Sequence, residues 1–326
     1  MNAVPYSPEY ADIWNAFVAQ SKNGTFLFNR GYMDYHRDRF EDASLMAFDA
    51  ASKVIAVFPA SRRGSTIVSH GGLTYGGVVT GPETGTLEYL AVFKALCRRL
   101  QESGFETLEY KATPNIYHQY PADEDKYALF LLGAELCRRD LSSAILPMRR
   151  LPVRKGRRSA LSKAIRSGLK VEESGRWEDF WTVLSENLRT KHGLEPVHSV
   201  AEIKLLHERF PRNIRLFTVH GGSDVVAGGV LYDTPQVTHA QYLGCGEFGR
   251  KTGALDLLLA HVLNSVCIGK AFFNFGISTT SGGWFLNYGL TDFKESFGAR
   301  SVIQDCYRLD LRTANLAALD ANREHA

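Results

Sequence analysis

The sequence predicts an α/β (α+β) protein of two tandem units, each a mixed, largely antiparallel sheet flanked by helices. Three observations predict it. Stretches with apolar residues at helical spacing alternate with short runs of strand character. Tight turns such as Gly221–Asp224 and Asp233–Gln236 join successive strand runs, which makes those strands antiparallel. The order strand, glycine loop, helix, strand occurs twice, and the interval from Tyr75 to Tyr110 is about that from Tyr242 to Phe275.

In chain order, PEYADIWNAFVAQ reads as a short amphipathic helix, and SLMAFDAASKVIAVFPASRRGSTIVSH as strands separated by turns. TLEYLAVFKALCRRLQESG places Leu87, Leu90, Phe93, Leu96, Cys97 and Leu100 at helical spacing and stops at Gly104. FETLEYKA follows as a strand. Pro147 and Pro152 interrupt the chain, so the expected boundary separates residues 1–148 from 149–326. GRRSALSKAIRSGLKVEE opens the second unit as helix and strand, with Leu161, Ala164, Ile165 and Leu169 on the docking side. RWEDFWTVLSENLRTKHG and SVAEIKLLHERF are helices, and residues 213–244 are three strands. GALDLLLAHVLNSVCIG is a helix and KAFFNFGIS a strand.

The formal charge of +3 conceals an asymmetry. Between Asp140 and Glu172 lie nine basic residues and no acidic one. Removing these nine from the 38 basic residues leaves 29 against 35 acidic, a balance of −6. The basicity is therefore local and points to a local anionic partner or a solvated face. Four of the nine, Arg154, Lys155, Arg157 and Arg158, sit at or before a helix N-terminus, where the dipole disfavours cations and a bound phosphate would offset the repulsion. Lys191-His192-Gly193 sits at a helix C-terminus, where cations simply complement the dipole.

Several classes are excluded. Five scattered cysteines without a C-x-x-C pair predict a reduced, cytoplasmic protein with no disulfide frame. The N-terminal residues lack a signal-peptide pattern, and no apolar run approaches the roughly 18 residues of a spanning helix, so integral membrane association is not expected. Ten histidines contain no metal-ligand spacing, and no metal is expected.

Gly244-Cys245-Gly246-Glu247-Phe248-Gly249 matches G-x-G-x-x-G between a strand and a helix. The antiparallel strands before it argue against a doubly wound dinucleotide fold. Followed by Arg250, Lys251, Thr252 and Gly253, the loop fits either a pyrophosphate site or a glycine turn with solvated cations.

This meander, glycine loop and helix resembles the GNAT acyltransferases, in which a splayed strand pair holds the acyl donor and the loop holds the coenzyme A pyrophosphate. Arg250-Lys251-Thr252-Gly253-Ala254 is one residue short of that family's loop pattern. Phe272-Phe273-Asn274-Phe275-Gly276 and then Gly289-Leu290-Thr291-Asp292-Phe293-Lys294-Glu295-Ser296-Phe297-Gly298 resemble the ending of the Fem-type peptidoglycan-bridge transferases, themselves tandem GNAT-like proteins. Residues 158–168 resemble the helix opening their second unit. The resemblance implies an oxyanion role for Lys294, and amide formation further needs a route for the amine proton. Tyr242 and Tyr288 are the candidates for that route, with His239 expected on the strand face opposite Tyr242.

The expected function is N-acyl transfer in the second unit, from an acyl-CoA thioester to an amine acceptor such as an amino sugar or nucleotide-linked envelope precursor. Arg154, Arg157, Arg158, Asn274, Trp284 and Phe293 would contact the acceptor, and the loop Ser278–Tyr288 would close with Trp284 and Phe285 excluding water. No long charged heptad hairpin interrupts the second unit, which ranks an aminoacyl-tRNA donor second. A non-catalytic glycan- or nucleotide-binding module is the alternative of another class, because the first unit has Pro82 and no cationic loop after Gly76-Gly77.

Overall fold

In a computed structural model, which describes residues 1–320, the chain divides into two compact units. The first comprises residues 1–140, 281–284 and 303 onward; the second comprises 141–280 and 285–302. The division differs from a single cut at 148/149: the strand after Gly133 changes unit at Asp140/Leu141, and the last strand returns to the first unit.

The first unit contains β1 (Asn2–Pro5), α1 (Ala11–Gln20), α2 (Arg30–Met33), β2 (Glu41–Asp42), β3 (Leu45–Phe48), β4 (Val54–Phe58), β5 (Ser61–Arg63), β6 (Thr66–Val68), β7 (Val79–Thr80), α3 (Thr86–Glu102), β8 (Thr107–Lys111), α4 (Glu124–Leu131) and the start of β9 (Glu135–Ile145). β1, β3, β4 and β7 form one four-stranded sheet in the order β1-β3-β4-β7. α3 buries Leu90, Phe93, Leu96, Cys97 and Leu100 as its spacing predicts, but Tyr89 joins that face while Leu87 is exposed. β8 pairs in parallel with β6, Thr66 to Val68 lying opposite Thr107 to Glu109.

The second unit contains α5 (Lys155–Arg166), β10 (Lys170–Glu173), α6 (Trp177–His192), α7 (Val200–Arg209), β11 (Ile214–Gly221), β12 (Asp224–Asp233), β13 (Val237–Cys245), α8 (Glu247–Thr252), α9 (Ala254–His261), β14 (Phe272–Ile277), β15 (Thr279–Thr280), β16 (Phe285–Leu286) and α10 (Tyr288–Ser296). The side chains of Lys191 and His192 lie outside the described residues. Ser199 and Glu202 close a reciprocal capping box at the start of α7. β10 to β13 form an antiparallel meander, and β14 pairs in parallel with β13 and antiparallel with the end of β9. α9 packs on one face of this sheet through Leu258 and Leu259 among Ala227, Leu231 and Cys245. α6 covers the other so closely that a Cβ on Gly228 would lie 2.6 Å from the Phe180 ring.

The last strand, β17 (Arg300–Asp310), pairs with β8 from Cys306 to Asp310 and carries Leu309 into the core of the first unit.

Candidate active site

β13 and β14 stay paired for only three residues, Val237–His239 against Phe272–Asn274. Two features pull β14 away. Asn274 Oδ1 accepts hydrogen bonds from Ser142 Oγ (2.7 Å) and from the Gly276 amide (2.9 Å), and Gly276 adopts a left-handed φ of 79° that redirects the strand. β13 has its own irregularity. Val230 lies opposite Tyr242 while Leu231 lies opposite Ala240, so Gln241 is an extra, bulged residue.

Between the parted strands lies a cavity of about 500 Å³. Ala240, Gln241, Leu243 and Cys245 line one wall, and Phe275 and Ile277 the other. Asn287, Gly289, Leu290, Phe293 and Lys294 close one end, with Asn187, Leu188, Arg250 and Leu255 completing the lining. Its volume lies in the range of small-molecule sites.

Lys294 is 3% exposed, and its ammonium donates to Gly276 O (2.7 Å), Ile277 O (2.7 Å) and Ser278 Oγ (2.8 Å). All three protons thus hold the end of β14, a task not foreseen from the sequence. Burial lowers its pKa to about 8. His239 is pushed down to about 4, by burial first and then by the charge of Lys294, so its imidazole is neutral at pH 7.

The bulge corrects the strand-face expectation. Because Val230 and Tyr232 share a face and pair with Tyr242 and His239, those two residues lie on the same face, that of α6. Tyr242 is not among the cavity residues. Its hydroxyl bonds His198 Nδ1 (2.6 Å) and accepts from the His198 amide (3.2 Å), and its ring meets Trp181 edge-on. Tyr288 is 80% exposed and Trp284 85%; neither lines the cavity, and Phe285 also faces solvent, so these aromatics do not exclude water here. Asn274 acts behind β14 rather than in the cavity.

Of the glycine loop, Cys245 and Arg250 line the cavity, Arg250 donating to Cys245 O (2.7 Å) and Asn187 Oδ1 (3.1 Å). Gly244, Gly249 and Gly253 serve packing. Gly244 lies under Leu184 and Phe180, a Cβ on Gly249 would meet Val226 O at 2.5 Å, and one on Gly253, at φ 80°, would meet Ala160 O of α5 at 2.4 Å. Gly246 caps α8 and donates to Val226 O; Lys251 pairs with Glu247, and the Thr252 hydroxyl donates to Phe248 O. The unpaired first amides of α8 and one arginine are what this loop offers an anion.

The basic cluster is likewise occupied. Arg154 pairs with Asp292 (2.5 Å), and Arg158 donates to Val153 O. Arg157 bonds Ser296 Oγ and Asp256 and stacks over Phe293 and Phe297, at 5.0 and 5.3 Å from the ring centres. Asp256 is raised by burial, an effect that Arg157 partly offsets. Asn287 and Gln241 are among the cavity residues that escaped the sequence reading. Asn287 caps α10 by accepting from the Leu290 amide, a signal present in its residue type; the Gln241 bulge leaves no such mark.

No family model matches the chain, and no curated protein matches it by sequence. Solved structures do match. FemX superposes with a TM-score of 0.66 at 11% identity, covering 94% of this chain and 97% of FemX. A conserved protein of unknown function from Bacteroides thetaiotaomicron gives 0.64 at 10% identity, covering 94% and 98%. L-PGS from Bacillus licheniformis gives 0.59 at 12%, covering 92% and 91%. The chain thus shares with these structures a Fem-type, tandem GNAT-like fold.

Proposed function

We propose that the second unit is an N-acyltransferase site whose donor lies between β13 and β14. The observation that carries this reading is the parting of two parallel strands into a cavity of about 500 Å³ with a buried lysine in its wall. An acyl-CoA thioester suits the gap, because the amides of a pantetheine arm can pair with the free edge of β13 like an added strand. Arg250 is the cation available to its phosphates.

In the reaction, an amine nitrogen attacks the thioester carbonyl, the C–N bond forms, the C–S bond breaks and the thiolate leaves. We assign the developing oxyanion to the Gln241 amide, which the bulge takes out of the β12 ladder, with Lys294 supplying positive charge beside it. Lys294 is committed to two carbonyls and a hydroxyl, so it acts as a fixed charge and as the clamp on β14. Neither tyrosine is given a proton-transfer step; the amine proton leaves to water or to the departing thiolate. An amino sugar or nucleotide-linked acceptor would bring phosphate to Arg154, in exchange for the exposed Asp292 contact. The first unit would serve the acceptor side: beyond its own three-residue parallel pairing of β6 with β8, the Gly76 amide bonds Lys111 O (2.8 Å) and Gly76 bridges Ala112, closing the edge that stays open in the second unit. Five free thiols fit a cytoplasmic setting.

A second donor has one observation in its favour. α5 fills the space at Gly253, which leaves few donors for a pyrophosphate and suits an aminoacyl-tRNA ester. Acetyl-CoA should raise the melting temperature and support thiol release with an amino-sugar panel. Binding of charged tRNA alone, weakening steeply with salt, would replace the donor. Failure of both to bind would leave a non-catalytic binding module.

A further inference from the structure

The basic segment has a side that no internal partner uses. Arg150, Arg154, Arg157 and Arg158 are engaged by carbonyls, Asn264, Asp292 and Asp256. Arg149, Lys155, Lys163, Arg166 and Lys170 are exposed and form no ion pair among the described residues. No acid lies between Asp140 and Glu172, and the acids bordering the segment are taken: Glu172 by His220, Glu173 by Arg215, Asp256 by Arg157 and Asp292 by Arg154.

Aliphatic side chains are interleaved with these cations. Leu146 is 49% exposed, Met148 80%, Leu151 42% and Ile165 60%. Ile165 belonged to the predicted docking side of α5, but Ala164 and Leu169 carry the burial and Ile165 faces water. The loop before α5 is held in this presentation. Pro147 is buried, the Arg149 amide bonds Leu146 O (3.0 Å), and Arg150 bonds Pro147 O (2.9 Å), Asn264 Oδ1 (2.7 Å) and Leu263 O.

We propose that this face of the second unit, residues 146–170, docks on the surface of a bilayer containing anionic phospholipid. A bilayer rewards both components: phosphate headgroups attract the unpaired cations, and the shallow acyl region accepts Met148, Leu151 and their neighbours. A nucleic acid would reward only the cations. Residues 146–170 contain no aromatic side chain on which a base could stack. The docking is peripheral and independent of which donor fills the cavity.

The test uses the full chain sedimented with phosphatidylcholine vesicles that contain or lack phosphatidylglycerol. Binding is expected only with phosphatidylglycerol and should fall with salt. The triple variant Lys163→Gln/Arg166→Gln/Lys170→Gln should lower partitioning on the order of 100-fold. Met148→Ser/Leu151→Ser should lower it about tenfold while leaving any tRNA binding intact. Wild-type melting temperatures of both variants, and an unchanged response to acetyl-CoA, separate this docking from folding and from the donor site. Absence of binding to phosphatidylglycerol vesicles would overturn the proposal. So would tRNA binding that the triple variant abolishes while Met148→Ser/Leu151→Ser leaves vesicle partitioning unchanged.

Discussion

Lys294 shows how one side chain serves fold and chemistry together. Taking an ammonium out of water is costly, and its pKa of about 8 records that cost. Below pH 8 both folded and unfolded chains hold the proton, so the full penalty applies. Between about 8 and 10.5 the unfolded chain keeps a proton that the folded one has lost, so this group makes stability rise with pH. Activity should move the other way, since the charge beside the cavity disappears above pH 8. A pH profile of kcat/KM should therefore turn down near 8 while the melting temperature does not follow. Lys294→Arg, charged throughout, should lose that turn whatever its residual rate. Lys294→Ala should reduce turnover on the order of 10²- to 10³-fold, and full turnover in this variant would remove the proposed role. The residue itself was legible in the sequence through its motif; its three-way clamp was not, because two of its partners are backbone carbonyls that any residue could supply.

At the scale of elements, the second unit depends on close approach of helices to backbone. α5 meets the junction of α8 and α9 at Gly253, where left-handed φ and contact with Ala160 O exclude a side chain. Gly253→Ala should cost roughly 1–3 kcal/mol, read as a fall in denaturant midpoint or melting temperature, whereas the open Gly156 should accept alanine freely. Arg157 adds a second tie, bridging α5 to Asp256 on α9, to the Phe293 ring of α10 and to the Phe297 ring just after it. Residue type announced these positions, but not their use. A glycine that admits a phosphate and one that admits a helix look alike along the chain, and an arginine bound for phosphate looks like one stacked on phenylalanine. The bulge at Gln241 is the harder case, since it depends on which residues of β12 and β13 pair, and no local signal fixes that.

At the scale of the whole molecule, the two units are not consecutive segments. The first unit needs β17, whose Cys306–Asp310 stretch pairs with Lys111–Thr107 and whose Leu309, with Leu311 just beyond the strand, enters its core. The second needs the end of β9, where Ile145 and Ala144 pair with Phe273 and Asn274. Fragments 1–148 and 149–326, cut where the prolines suggest, should each lack independent stability, because the first is left with an open β8 edge and the second exposes β17. Circular dichroism melts of the separate fragments check this: a cooperative transition in 1–148 alone would contradict the assignment of β17 to its sheet.

The sequence by itself determined much of the element order, though not α4, β9 or β17, together with the antiparallel meander, the helix faces except at Leu87 and Ile165, the isolated +9 segment and the lysine motif. These are set by local spacing and composition, which the chain carries residue by residue. Only the tertiary structure decided which cations of that segment are free and which glycines serve packing. It also decided that Tyr242 and His239 share a face, and that Gly76 covers in the first unit the strand edge that stays open in the second. Those outcomes depend on strand register and on distant partners, such as Asp256 for Arg157 (99 residues away) and Asp292 for Arg154 (138 residues away), pairings that folding sets and sequence spacing does not encode.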